Sequence, residues 1–173
     1  RLWRDYGFAP ITVAVMLVLL KVILQIAWVP SGSMEDTLPT RSLLLSWQMP
    51  YVFADPTPQR GDVVTFRSEE LGKLLVKRVI GKAGDTIDID FTAGIVYRNG
   101  EALEEPYTAE PTYTYEGMDF PLTVPDNCLF LMGDNRNGSK DSRSTDIGCV
   151  DTRDILGTAL WRILPFSKIG AVQ

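Results

Sequence analysis

From Tyr6 to Leu20 the chain carries no charged residue, and its apolar character continues past Lys21 and Gln25 to Val29. As a single helix, the roughly 22 residues from Phe8 to Val29 would run about 33 Å, enough to cross the hydrocarbon of a bilayer. Lys21 interrupts the run, and a charge at that depth is costly unless it snorkels or finds a partner. A buried helix of a soluble protein and a cleavable signal peptide are the alternatives. A retained anchor is expected, because a serine-bearing turn follows the run directly. Arg1 and Arg4 ahead of it favour a cytoplasmic start, which puts the rest of the chain outside. Residues 1–29 are therefore read as a stub and transmembrane anchor of a single-pass protein of the cell membrane, and 30–173 as an extracytoplasmic domain.

Charge divides the chain in the same way. Residues 1–29 hold Arg1, Arg4 and Lys21 against Asp5, while the remainder has 14 basic and 21 acidic residues, a balance of −7. Nucleic acid is excluded as a partner on this ground, since phosphate backbones are bound by basic stripes. The body is long enough for one domain with a proper core. Two cysteines, Cys128 and Cys149, could form one disulfide or could be two buried thiols, and the sequence leaves both open.

Beyond residue 30 the body reads as strands and turns. Val63–Arg67, Leu74–Ile80, Thr86–Asp90 and Cys128–Met132 are β-branched, alternating or continuously apolar runs, bounded by Gly61-Asp62, Gly84-Asp85 and Gly133. Ile95–Arg98, Asn99-Gly100 and Glu101–Leu103 have the form of a type I′ hairpin. The fold class expected is mainly β, an antiparallel sheet or barrel-like domain behind one N-terminal transmembrane helix. Residues 104–122, acidic, tyrosine-bearing and punctuated by proline, form a small inserted loop or subdomain. The Leu43-Leu44-Leu45 run is read as core, and the nearby Trp47, Tyr51 and Phe53 as candidates for a lipid interface.

The chain has no histidine, so serine chemistry must use another base. Ser33 is the leading nucleophile: Gly32 permits an unusual backbone conformation, Pro30 stiffens the approach, and neighbouring N–H groups can face an oxyanion. Ser31 is either a turn former or a hydroxyl donor to the same oxyanion. A lysine base must be neutral, which requires desolvation. Lys77 alone among the body's lysines lies inside an apolar strand, with Leu75 and Val79 on its face. The segment from Gly133 to Arg143 is dense in Asp, Asn, Ser and Arg but does not fit a calcium loop. Asp134 with Arg78 and Asp141 with Arg143 are the ion pairs expected there.

Four blocks in this order resemble the bacterial type I signal peptidases, the membrane-bound leader peptidases. They are Pro30-Ser31-Gly32-Ser33-Met34 with Thr37-Leu38; Gly61-Asp62-Val63-Val64-Thr65-Phe66; Lys77-Arg78-Val79-Ile80-Gly81 with Gly84-Asp85; and Gly133-Asp134-Asn135-Arg136 through Ser139, Asp141, Ser142 and Arg143. The ending from Gly157 to Gly170 is similar as well. The resemblance implies Ser33 as nucleophile and Lys77 as general base of a Ser-Lys dyad. Ser31 would serve the oxyanion hole and Ser139 would orient the Lys77 amine. Arg78, Asp134, Asp141 and Arg143 would support the site, and Met34 would help line the substrate cleft. It also implies signal peptides of exported preproteins as substrates, a bilayer surface, proximity to the secretion translocon, and neither metal nor organic cofactor. A narrow maturation protease of the same fold, such as a pilin processor, a self-cleaving Ser-Lys protease and an inactive peptide-binding β module are the rivals. Asp36 stands where the family usually has proline, and residues 104–122 are short for the second β domain of some members.

Overall fold

The computed structural model describes residues 9–29, 31–35, 37–48, 58–68 and 70–172. Among the described residues one α-helix, α1 (Ala9–Ile23), precedes twelve strands. In chain order these are β1 (Leu24–Val29), β2 (Ser42–Trp47), β3 (Val63–Ser68), β4 (Lys73–Lys82), β5 (Thr86–Asp90) and β6 (Ile95–Arg98). Then come β7 (Glu101–Ala102), β8 (Leu122–Thr123), β9 (Cys128–Met132), β10 (Val150–Asp151), β11 (Ile155–Leu164) and β12 (Gly170–Ala171).

Every pairing is antiparallel. The main sheet runs β1-β2-β11-β3-β4-β9-β10, with β12 on β11, and a second sheet runs β7-β6-β5-β8. Among the described residues the ends of the main sheet do not pair with each other. The expected strands are present, and Asn99 and Gly100 both take positive φ (54° and 83°), as the hairpin between β6 and β7 requires. Ile80, Phe130 and Met132 of the main sheet share one buried cluster with Ile87, Ile89 and Val96 of the second. Gly81 makes that approach possible, since a Cβ there would lie 2.9 Å from Ile87 Cδ1.

The N-terminal run is organised differently from the single helix expected. The helix ends at Ile23, and at about 22 Å for its 15 residues it falls short of a bilayer's hydrocarbon. No helix among the described residues is long and apolar enough to cross a membrane. Leu24–Val29 instead forms the edge strand β1, paired from Leu24↔Trp47 to Val29↔Ser42. Its side chains alternate: Ala27 and Val29 are buried, Ile26 and Trp28 exposed. A continuous apolar run has the same composition in a helix or a buried strand, and here the free edge of β2 decides between them. β2 itself is a sheet strand, with Leu44 in the core and Trp47 half-buried. Tyr51, Val52 and Phe53 lie outside the described residues.

Candidate active site

Ser33 follows β1 in a tight turn closed by Glu35 N–H donating to the Gly32 carbonyl (3.1 Å) and Arg41 N–H donating to the Val29 carbonyl (2.9 Å). A Cβ on Gly32 would lie 3.0 Å from Glu35 Oε2, so the Glu35 carboxylate, which accepts from the N–H and hydroxyl of Thr40, packs closely over the turn. Ser33 is buried, and its Oγ lies 3.2 Å from Oγ of the exposed Ser31. Pro30 and Asp36 lie outside the described residues.

The loop after β9 closes over this turn. Asn135 N–H donates to the Ser33 carbonyl (3.2 Å) and its Nδ2 to the Gly32 carbonyl (2.9 Å). A Cβ on Gly133 would lie 2.4 Å from the Ser33 carbonyl oxygen and 2.1 Å from Ser139 Oγ, so only glycine fits between them. Gly133 thus brings Ser33 and Ser139 to one place, although 106 positions separate them in the chain.

Lys77 enters from β4, opposite Val64 of β3. Leu75 and Val79, on its face by strand alternation, pack with Val64, Phe66, Leu129 and Leu131. Lys77 is 1% exposed and forms no ion pair among the described residues. Burial pushes the ammonium down from 10.5 to about 8; Asp141, Glu116 and Asp134 oppose that shift and Arg143 reinforces it. A lysine in this setting releases its proton within the reach of ordinary pH. No hydrogen bond joins Lys77 to Ser33 or Ser139 among the described residues. The Ser139 hydroxyl donates instead to Asp141 Oδ2 (2.8 Å), which also accepts Gly133 N–H (2.9 Å).

Two buried arginine–carboxylate pairs hold the surroundings. Arg143 meets Asp141 through Nε to Oδ1 (2.8 Å) and Nη2 to Oδ2 (2.9 Å), both side chains at 0% exposure. Arg78 meets Asp134 through Nε to Oδ1 (2.9 Å) and Nη2 to Oδ2 (2.7 Å). Bidentate geometry fixes direction as well as charge. Thr37 joins the second pair, its hydroxyl donating to Asp134 and accepting from Arg78. Met34, expected to line a cleft, is instead fully buried, and its Sδ accepts Asp134 N–H at 3.4 Å.

Three residues outside the expected set belong to this construction. Asn135 holds the Ser33 turn as described. Arg136 is 2% exposed, donates from Nε to the Gly133 carbonyl, and forms two bonds to Glu105 at 2.5 and 2.6 Å. Glu105 lies in the 104–122 segment, so that segment is tied to the loop after β9. Asn and Arg beside Gly133-Asp134 were visible in the sequence, but their partners are backbone carbonyls and a distant glutamate that no local pattern marks. Cys128 and Cys149 are free, half-buried thiols against the cluster shared by the two sheets, and burial pushes Cys149 up to about 11.

The arrangement offers a buried serine hydroxyl, a neutralisable amine and a rigid polar scaffold, which together suit acyl transfer through a serine ester. The family described as "Signal peptidase, peptidase S26" matches residues 3–164. The chain is similar to a "Probable signal peptidase I-1" of Synechocystis sp. (strain ATCC 27184 / PCC 6803 / Kazusa), 38% identical over 152 residues, covering 83% of this chain and 72% of that protein. A "Probable signal peptidase I-2" of the same organism is 32% identical, covering 97% and 76%. A crystal structure of a signal peptidase I from Enterococcus faecalis V583 is 33% identical, covers 60% of this chain and 97% of that one, and superposes with a TM-score of 0.49.

Proposed function

The chain belongs to the signal peptidase family S26, and on that premise we propose that it is a serine endopeptidase that removes signal peptides from preproteins with Ser33 as nucleophile and Lys77 as general base. The observation that carries the assignment of the base is the burial of Lys77, 1% exposed and with its ammonium pushed down to about 8.

Neutral Lys77 takes the Ser33 hydroxyl proton as Oγ attacks the carbonyl before the scissile bond. The tetrahedral oxyanion is met by N–H groups of the Ser33 turn and the Ser31 hydroxyl. Collapse breaks the C–N bond, and protonated Lys77 returns its proton to the leaving amine. Water then attacks the Ser33 ester as Lys77 takes its proton, the bond between the acyl carbon and Ser33 Oγ breaks, Lys77 returns the proton to Oγ, and the signal peptide leaves as a free carboxylate. Asp141 takes part through position: it holds Ser139 and the Gly133 N–H, which close on Ser33.

The protein works at a membrane surface, with the body on the extracytoplasmic side and α1 in the lipid. Ile11, Val13, Val15, Met16, Leu17 and Val18 are all exposed, so the helix presents apolar side chains all round. The anchoring part ends at Ile23, because Leu24–Val29 is committed to the sheet. Ile26 and Trp28 of β1 and Leu160 and Trp161 of β11 continue the exposed apolar surface onto the body.

The test is cleavage of a model preprotein by the full chain carrying Ser33→Ala or Lys77→Ala. Loss of turnover with unchanged unfolding is expected, and substantial activity in either variant sinks the dyad.

A further inference from the structure

A base that takes the Ser33 proton becomes an ammonium, and a buried ammonium needs negative charge near it. Asp141, Glu116 and Asp134 are carboxylates that act on Lys77 through space, with Arg143 against them. Two of the three are spent: Asp141 on Arg143 and Asp134 on Arg78, each through two hydrogen bonds. Glu116 forms no ion pair among the described residues. Its Oε2 is buried and has no hydrogen-bond partner among them. A carboxylate oxygen left without a donor is costly, and its retention beside an unpaired lysine calls for a reason.

The 104–122 segment holds Glu116 against the loop after β9. Arg143 Nη1 donates to the Thr114 carbonyl (3.3 Å), Met118 N–H donates to the Arg143 carbonyl (3.1 Å), and Gly117 bridges to Ser144. Between these ties the Asp141 N–H donates to the Glu116 carboxylate. Burial and the Asp141 charge push the Glu116 carboxyl up, while Arg143, that N–H and Lys140 pull it down. Lys140 is exposed and paired with Asp146, and Tyr115 bonds Asp119 at the surface. The strands flanking Lys77 add no charge to its face. Arg67 of β3 alternates away from Val64, and β9 brings only Cys128, beyond the Lys82↔Leu129 pair.

We propose that Glu116 is a positioning residue that works through Lys77, its ionised carboxylate serving as counter-charge to the ammonium formed when the Ser33 proton moves to Nζ. This rests on the reading of Lys77 as base and adds the group that sets its working pH. The proton passes from Ser33 Oγ to Lys77 Nζ and later to the leaving amine; Glu116 stays ionised throughout and exchanges none.

The test compares Glu116→Gln, Glu116→Asp and Asp119→Asn in the full chain in detergent. Two quantities are read. One is the acid limb of kcat/KM; the other is the ionisation of Lys77, followed by NMR of its side-chain ε-carbon in the same variants carrying Ser33→Ala, with Lys77→Met as the assignment. An anion favours the protonated lysine, so both should move down in Glu116→Gln, by about one pH unit, the low end of the shift that one opposite charge exerts. Glu116→Asp keeps the charge and should move both by less than about half of that, and Asp119→Asn should leave both in place. An unmoved NMR ionisation in Glu116→Gln overturns the proposal and leaves Lys77 as base untouched. So does a shift of equal size in Glu116→Asp or Asp119→Asn, which would mark a disturbed loop or a general field. An ionisation that moves while the kinetic limb stays would overturn the dyad itself, and so separates the two failures.

Discussion

Lys140 and Asp141 are neighbours in one loop, yet they live in opposite electrostatic worlds. Lys140 pairs with Asp146 at the surface, with the two side chains 48% and 56% exposed. Asp141 pairs with Arg143 at 0% exposure on both sides, and accepts Ser139 and the Gly133 N–H besides. Water screens the first pair and lets its members move, so it contributes little. The second pair is desolvated and directional, and it can set the position of groups that react. Lys77 belongs with the second kind, and its burial is what lowers the proton affinity of a cation that is usually found at the surface.

The contrast can be broken at several points. The largest effect should follow Ser33→Ala or Lys77→Ala, with cleavage falling by at least about 10⁴-fold in single-turnover assays, the scale seen when an acyl-transfer nucleophile or base is lost. Arg143→Ala should come next, because it leaves Asp141 as a buried, uncompensated charge. A loss of about 3–5 kcal/mol in chemical denaturation is expected, and a loss as small as that of a surface pair would erase the contrast.

Lys77→Met should be inactive and more stable than wild type at neutral pH. The folded lysine titrates near 8 and the unfolded one near 10.5. Between these values the unfolded chain binds more protons, so wild-type stability rises with pH there. Below 8 the penalty of the buried charge is present in full, about 3 kcal/mol, and methionine relieves it. Equal stability at neutral pH would mean that Lys77 carries no such penalty. The smallest effect belongs to Asp146→Ala, which should leave both the denaturation midpoint and the cleavage rate unmoved.

The parts of the fold legible in the sequence are those governed by neighbours in the chain. Alternation marked Thr86–Asp90, and Asn99-Gly100 fixed the hairpin through its positive φ angles. β1 was not legible, because Leu24–Val29 differs from a helix only in having β2 as a partner. β11 escaped too: Ile155–Leu164 pairs with β2, β3 and β12 and is irregular in register against both β2 and β3, so no simple period runs along it. In the site, Lys77 stood out because an apolar strand surrounds it in sequence as well as in space. Arg136 and Glu105 did not, since 31 positions separate them and only the folded chain brings them together.

The most direct test of Lys77 as base is the pH dependence of kcat/KM for preprotein cleavage by the full chain. A rate that rises with pH through one ionisation near 8 is the predicted result. A rate that is flat across that range, or that rises only with an ordinary lysine ionisation near 10.5, would contradict it.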